Sequence, residues 1–153
     1  KAKTAVSSRR RAKTQRRELG KQTAIHEQVL NTQSTGELMD LYDDWAAVYD
    51  QDVNDTWGYS GPERTLFWLS HYLESEGARV LDAGCGTGLV GVALSEGGFS
   101  RIDGIDYSKA MLAEAAKKSV YQQLEQMNMN AALPIDSGVY DGVTCALKFP
   151  LNI

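Results

Sequence analysis

Residues 80–88, VLDAGCGTG, decide how this chain is read. A short apolar run, Val80-Leu81, leads into an acid, Asp82, and then into glycines at 84, 86 and 88. A glycine turn after a strand brings bare backbone N–H groups close to a ligand, and the next helix adds its positive end. The candidates are a nucleoside triphosphate, a dinucleotide, or a ligand with no phosphate. A triphosphate loop needs G-x-x-x-x-G-K-[ST], and Leu89, not lysine, follows the last glycine. A dinucleotide is harder to dismiss. Gly86-Thr87-Gly88-Leu89-Val90-Gly91 spells G-x-G-x-x-G, and Asp106 stands where a ribose-binding acid would. Against it stands Asp82, since a carboxylate beside the turn disfavours pyrophosphate and suits a ligand with a cationic group and hydroxyls.

Working outward, ARVLDA (78–83) reads as a buried strand and GLVGVALSE (88–96) as the helix opened by the turn and closed at Gly97-Gly98. RIDGID (101–106) is a second strand, and Ser108 is a natural cap for the helix KAMLAEAAKKS (109–119). QQLEQM (122–127) and VYDGVTCAL (139–147) fit a third and a fourth strand, the latter introduced by the turn LPIDSG (133–138). Strand and helix alternating at this spacing predict an α/β fold of βαβ units on a mainly parallel sheet. Upstream, Leu38, Leu41, Tyr42, Trp45, Val48 and Tyr49 share one face of a helix begun by the capping-box pair Ser34 and Glu37. QDVNDTWGYSG (51–61) is expected to be a loop, with Trp57 and Tyr59 packing inward or, second, forming a lid over a ligand. A helix from Pro62 carries Leu66, Phe67, Leu69, Tyr72 and Leu73, with Gly77 at its end.

At 153 residues there is material for one domain. No apolar run reaches bilayer length, and Cys85 and Cys145 lack metal-ligand spacing, so an intracellular, reducing setting is expected, with no metal and no membrane partner. The net charge of −4 hides a split. Residues 1–21 hold nine Lys/Arg against one Glu, whereas the rest holds seven bases and nineteen acids. An acidic body is a poor match for nucleic acid; only the basic tail could supply such contacts. Residues 1–34 read as a solvated, disordered extension; the basic, Ser/Thr-containing, acid-poor composition of residues 1–21 fits a mitochondrial transit segment, and the cluster RRRAKTQRR fits a nuclear signal equally loosely.

LDAGCGTG resembles motif I of the class I (Rossmann-like) S-adenosylmethionine-dependent methyltransferases. GIDYSKAML is similar to that family's second strand end and capped helix, and LPIDSGVYDGV to its loop and fourth strand. LYDDWAAVYDQD and GPERTLFWLSHYL resemble the leading helices of the Williams–Beuren-region methyltransferase-like subgroup. Together these motifs span residues 38–147. The resemblance implies a three-layer Rossmann-like sandwich in residues 35–153, with S-adenosyl-L-methionine as cofactor. It implies that the backbone of Gly84, Cys85, Gly86, Thr87 and Gly88 runs along the methionine portion and that Asp82 helps place its ammonium. Asp106 would accept from both ribose hydroxyls, while Tyr107 and Met111 flank the adenine. Tyr49 would lie over the methionine end. Relatives often carry an Asp about five residues before the LP; here Asn128 or Asn130 stands in its place, and an amide can still pair with adenine. Cys85 has no His or acid arranged to make it a nucleophile, and it reads as a small residue within the turn.

The family's sheet has seven strands, and the motifs here stop after the fourth, so an incomplete sheet is expected, with a partner chain a candidate to cover the strand-4 edge. The function implied is methyl transfer to a small-molecule or protein acceptor, with no catalytic residue nameable. The alternatives are a cofactor-holding module without transferase activity and an NAD-binding oxidoreductase.

Overall fold

The computed structural model describes residues 28–29, 31–32, 34–57 and 59–146, without the side chains of residue 35 or residues 54–57. The basic tail, the side chain of Trp57, and the segment LKFPLNI lie outside these. The chain divides into two compact units between residues 41 and 42. In the first, the start of helix α1 (Thr35–Trp57) is held by Ser34, whose Oγ accepts the Glu37 N–H at 3.2 Å. Gly36 is an exposed glycine in that helix with nothing within 4 Å of a built Cβ. Gly36→Ala should therefore raise stability by up to ~1 kcal/mol, read by urea unfolding.

The second unit contains the rest of α1, then α2 (Gly61–Tyr72), β1 (Arg79–Ala83), α3 (Leu89–Glu96), β2 (Arg101–Asp106), α4 (Lys109–Lys117), β3 (Gln123–Gln126) and β4 (Gly142–Thr144). The four strands form one all-parallel sheet in the order β3-β2-β1-β4. β1 lies between β2 and β4: the chain runs outward from β1 through β2 to β3, then crosses back to the other side of β1 for β4. That reversal of direction is the switch point at which α/β sheets bind ligands beyond the strands' C-terminal ends.

The register sorts the side chains. Val80 pairs Ile102 and Asp82 pairs Gly104, so these four share one face; Leu81, Asp103, Ala83 and Ile105 share the other. On the first face Val80, Val90, Leu94, Phe99 and Ile102 form a core against Leu66, Leu69 and Leu73 of α2 and its end. Gly142 makes this close: a Cβ there would stand 2.5 Å from Leu73 Cδ1. On the second face Leu81, Ala83 and Ile105 pack beneath Met127, Leu133, Ile135 and Tyr140 from the loop between β3 and β4. Asp103 is buried here too, bound by Arg79 at 2.7 Å and by the Tyr140 hydroxyl at 3.0 Å.

Three sequence expectations need correction. The segment 51–61 is not all loop: α1 runs on to Trp57, because no helix breaker stands before Gly58 and the next turn has an inner face. Val53 is fully buried, and Asp52 accepts the Trp45 indole N–H at 2.8 Å. Trp45→Phe should cost about 1–3 kcal/mol in thermal unfolding, since it strips a buried carboxylate of that donor. α2 does not bury Phe67 and Tyr72, which are 68% and 76% exposed; the inward stripe is Leu66, Leu69 and Leu73. The helix also stops before Gly77, with Leu73 as an extended C-cap whose N–H still reaches Leu69 O.

Candidate cofactor site

The site lies where β1 and β2 end. Beyond Ala83 the chain turns on Gly84, Gly86 and Gly88, with φ of 71°, 53° and 91°. This left-handed region is costly for any residue with a Cβ. The turn is tied down from beneath: the N–H groups of Gly84 and Cys85 both donate to Ile105 O, at 2.8 and 3.0 Å. Its outer side is open, since a Cβ on Gly86 would meet nothing within 4 Å.

Asp106, at the end of β2, closes the other side. Its Oδ2 accepts the Gly86 N–H at 2.8 Å and its Oδ1 the Ser108 N–H at 2.9 Å. The Tyr107 N–H also acts on this carboxylate, and of its roughly four acceptor positions capacity is left for a donor beyond the protein backbone. Burial pushes the Asp106 carboxyl above the ordinary range, and the nearby Asp43 adds to this, against the pull of the backbone N–H groups. Ser108 caps α4 as its sequence position predicts, accepting the Met111 N–H at 3.0 Å. Its hydroxyl donates to Asp43 of α1.

Asp82 is deeper, 1% exposed, at the floor of the turn. Tyr121 donates to its Oδ2 at 2.8 Å and Thr144 to its Oδ1 at 3.1 Å. Burial raises its pKa to about 6, although both hydrogen bonds oppose the shift and Asp106 reinforces it. A folded-state pKa above the unfolded value means that protonation favours the fold. Stability from this group is full below about pH 4 and is lost as pH rises through about 6, by up to ~3 kcal/mol. Asp82→Asn should remove that slope from urea melts taken across the window; an unchanged slope would show that Asp82 is not its source.

The remaining residues named from the sequence are placed as follows. Thr87 is buried, and its hydroxyl donates to Asp50 of α1. Cys85 is buried, and desolvation followed by the Asp82 charge pushes its thiol well above the ordinary range, which disfavours a thiolate. Met111 is buried in the first turn of α4, and Tyr107 is at the surface next to Asp106. Tyr49 is half-buried, with its ring edge-on to Trp45 at 4.8 Å. Burial and the neighbouring Tyr42, Tyr59, Asp50 and Asp106 raise its hydroxyl pKa. Asn128 is exposed, and its side-chain oxygen accepts the Asn130 N–H at 3.0 Å, forming a turn on itself.

Several residues that pattern reading passed over complete the site. Lys118 donates from Nζ to Asp50 Oδ2 and to Thr87 O, both at 2.6 Å, and so ties α1, α4 and the glycine turn together. Tyr121 fills the space beside Gly88, Gly91 and Gly104; a Cβ on Gly91 would stand 2.3 Å from its ring. The third glycine of G-x-G-x-x-G thus makes room for a tyrosine of this chain.

Comparison with known proteins agrees with this geometry. Residues 80–152 match the family described as "Methyltransferase domain". The chain is 38% identical over 106 residues to human methyltransferase-like protein 27, covering 67% of this chain and 43% of that protein. It is 35% identical over 107 residues to the EEF1A lysine methyltransferase 2 of Danio rerio, covering 61% and 46%. Among solved structures, one from the Haloferax volcanii complex between the methyltransferase activator Trm112 and a methyltransferase superposes with a TM-score of 0.56 at 26% identity, over 68% of this chain and 46% of the other. The chain spans less than half the length of each of these proteins. With a parallel sheet in the order β3-β2-β1-β4, a left-handed glycine turn after β1 and an acid ending β2, the chain belongs to the class I, Rossmann-like family of S-adenosylmethionine-dependent methyltransferases.

Proposed function

We propose that this chain binds S-adenosylmethionine across the ends of β1 and β2 and directs its methyl group to a small-molecule or protein acceptor. The observation that carries the reading is Asp106. It is a largely buried carboxylate whose two oxygens accept the Gly86 and Ser108 N–H groups and retain acceptor capacity, next to a glycine turn that is open on its outer side. Two adjacent acceptors suit the two hydroxyls of a ribose. The second carboxylate, Asp82, suits an ammonium and opposes a pyrophosphate, which supports this cofactor over NAD.

The residues fit the cofactor in parts. Gly84, Cys85, Gly86, Thr87 and Gly88 would hold its methionine portion through their backbone, with Asp82 supplying negative charge for the ammonium. Asp106 would hold the ribose, Tyr107 and Met111 would border the adenine, Asn128 would reach its amino group, and Tyr49 would cover the methionine end. When bound, the cofactor supplies a methyl group already activated on a sulfonium sulfur. The protein's share is to orient that group and to exclude water, and holding reactants in line supplies most of the rate. We assign this role to residues 35–153, with residues 1–34 a basic extension.

The test is transfer of a tritiated methyl group from S-adenosylmethionine to protein and to small-molecule fractions of a cell extract. Label in either fraction, lost in Asp106→Ala, supports the transferase. Cofactor binding with no label in any fraction would favour a module that holds the cofactor without transferring from it.

A further inference from the structure

We propose that Tyr121 is a positioning residue for the amino-acid end of the cofactor: it fixes the Asp82 carboxylate under the glycine turn, and the glycines at 88, 91 and 104 exist to admit its ring. The inference rests on the cofactor reading above. Tyr121 precedes β3, yet its hydroxyl reaches across β2 to Asp82 at the end of β1, 39 residues away in sequence. It crosses only because the path lacks side chains. A Cβ on Gly91 would lie 2.3 Å from its Cζ and hydroxyl oxygen, one on Gly104 would lie 3.0 Å from its ring, and one on Gly88 would also lie 3.0 Å from it. Three glycines on three elements (the turn, α3 and β2) thus share one neighbour. A tyrosine placed only to fill the core needs no hydroxyl partner at its far end, and phenylalanine would serve there. This hydroxyl instead donates to one oxygen of the one carboxylate beneath the turn, and Thr144 of β4 donates to the other.

Such a pair of donors fixes both the rotamer and the charge of Asp82. The groups coupled to that carboxylate are Tyr121, Asp106 of β2, Cys85 of the turn, Tyr59 from the segment after α1, and Cys145 after β4. None of these is a cation, so hydrogen bonds from Tyr121 and Thr144 are what favour the ionised form against burial. Removing the Tyr121 hydroxyl raises the carboxyl pKa further. At neutral pH a larger share of Asp82 is then protonated and offers no charge to an ammonium. The ribose and adenine ends, held by Asp106 and α4, are untouched.

The test compares two ligands on the 153-residue chain and its Y121F variant: S-adenosylhomocysteine, which has the amino-acid portion, and methylthioadenosine, which lacks it. Affinities are measured by calorimetry from about pH 6 to about pH 9. Y121F should bind S-adenosylhomocysteine about tenfold more weakly at pH 7, as for loss of a charged hydrogen bond, and recover as pH rises. Methylthioadenosine affinity should not change at any pH. Equal weakening for both ligands, or an unshifted pH profile, would overturn the proposal and leave Tyr121 as packing. Should Y121F not fold, T144V removes the other donor from the same carboxylate and is read in the same way. Failure of the wild-type chain to bind either ligand would instead count against the cofactor reading itself.

Discussion

Replacing Asp106 with alanine is expected to weaken binding of S-adenosylmethionine and S-adenosylhomocysteine roughly ten- to hundredfold, since one or two hydrogen bonds to a charged acceptor are lost. Two losses combine. The ribose loses its acceptors, and the N–H groups of Gly86 and Ser108 lose the oxygens that hold the turn and the start of α4 in place. Asp106→Asn separates them, because an amide keeps one acceptor oxygen but turns an N–H₂ donor toward one of the donors it must face. Its affinity should fall while more of the melting temperature is kept than in Asp106→Ala. Because the folded-state pKa of Asp106 is raised, acidification should weaken cofactor binding before an ordinary aspartate would protonate. Affinity that is unchanged in both variants would remove Asp106 from the site.

Gly91→Ala is expected to cost about 2–4 kcal/mol in urea unfolding. The added Cβ would sit 2.3 Å from the Tyr121 ring, against a side chain that cannot retreat without breaking its bond to the buried Asp82. Overpacking and a carboxylate short of a donor then add together. An alanine at Gly86 should act differently, through its φ of +53° rather than through a clash, since nothing lies within 4 Å. If Gly91→Ala proved as stable as the parent chain, the tight packing around Tyr121 would be wrong.

The parts of the fold that sequence revealed are those set by local rules. The glycine turn, the Ser108 cap, the two central strands and the acid at the end of β2 each depend on residues within a few positions of one another. The failures came where distant packing decides. The loop expected at 51–61 is helical as far as Trp57 because Val53 and Asp52 have a buried environment to enter, which a turn-rich composition does not reveal. Phe67 and Tyr72 looked like core from their chemistry, yet the sheet meets only the leucine stripe of α2.

The same division runs through the site. Asp82 and Asp106 could be found beside their glycines, but Tyr121, Thr144, Asp50 and Lys118 reach the turn or Asp82 from 31 to 62 residues away. One signal was available: Gly91 and Gly104 are glycines inside a helix and inside a strand, where a side chain is normally favoured. Such positions mark a close approach by another group. The GxGxxG spacing invited a phosphate ligand as the reason, whereas a tyrosine occupies the space.

A turn with acids on two sides, and with Leu89 rather than lysine after its last glycine, is suited to S-adenosylmethionine and not to a dinucleotide. Calorimetric titration of the chain with S-adenosylhomocysteine and, separately, with NAD tests it most directly. Saturable binding of S-adenosylhomocysteine, weakened by Asp106→Ala, is expected, with no heat of binding from NAD. Saturable binding of NAD with no response to S-adenosylhomocysteine would contradict it.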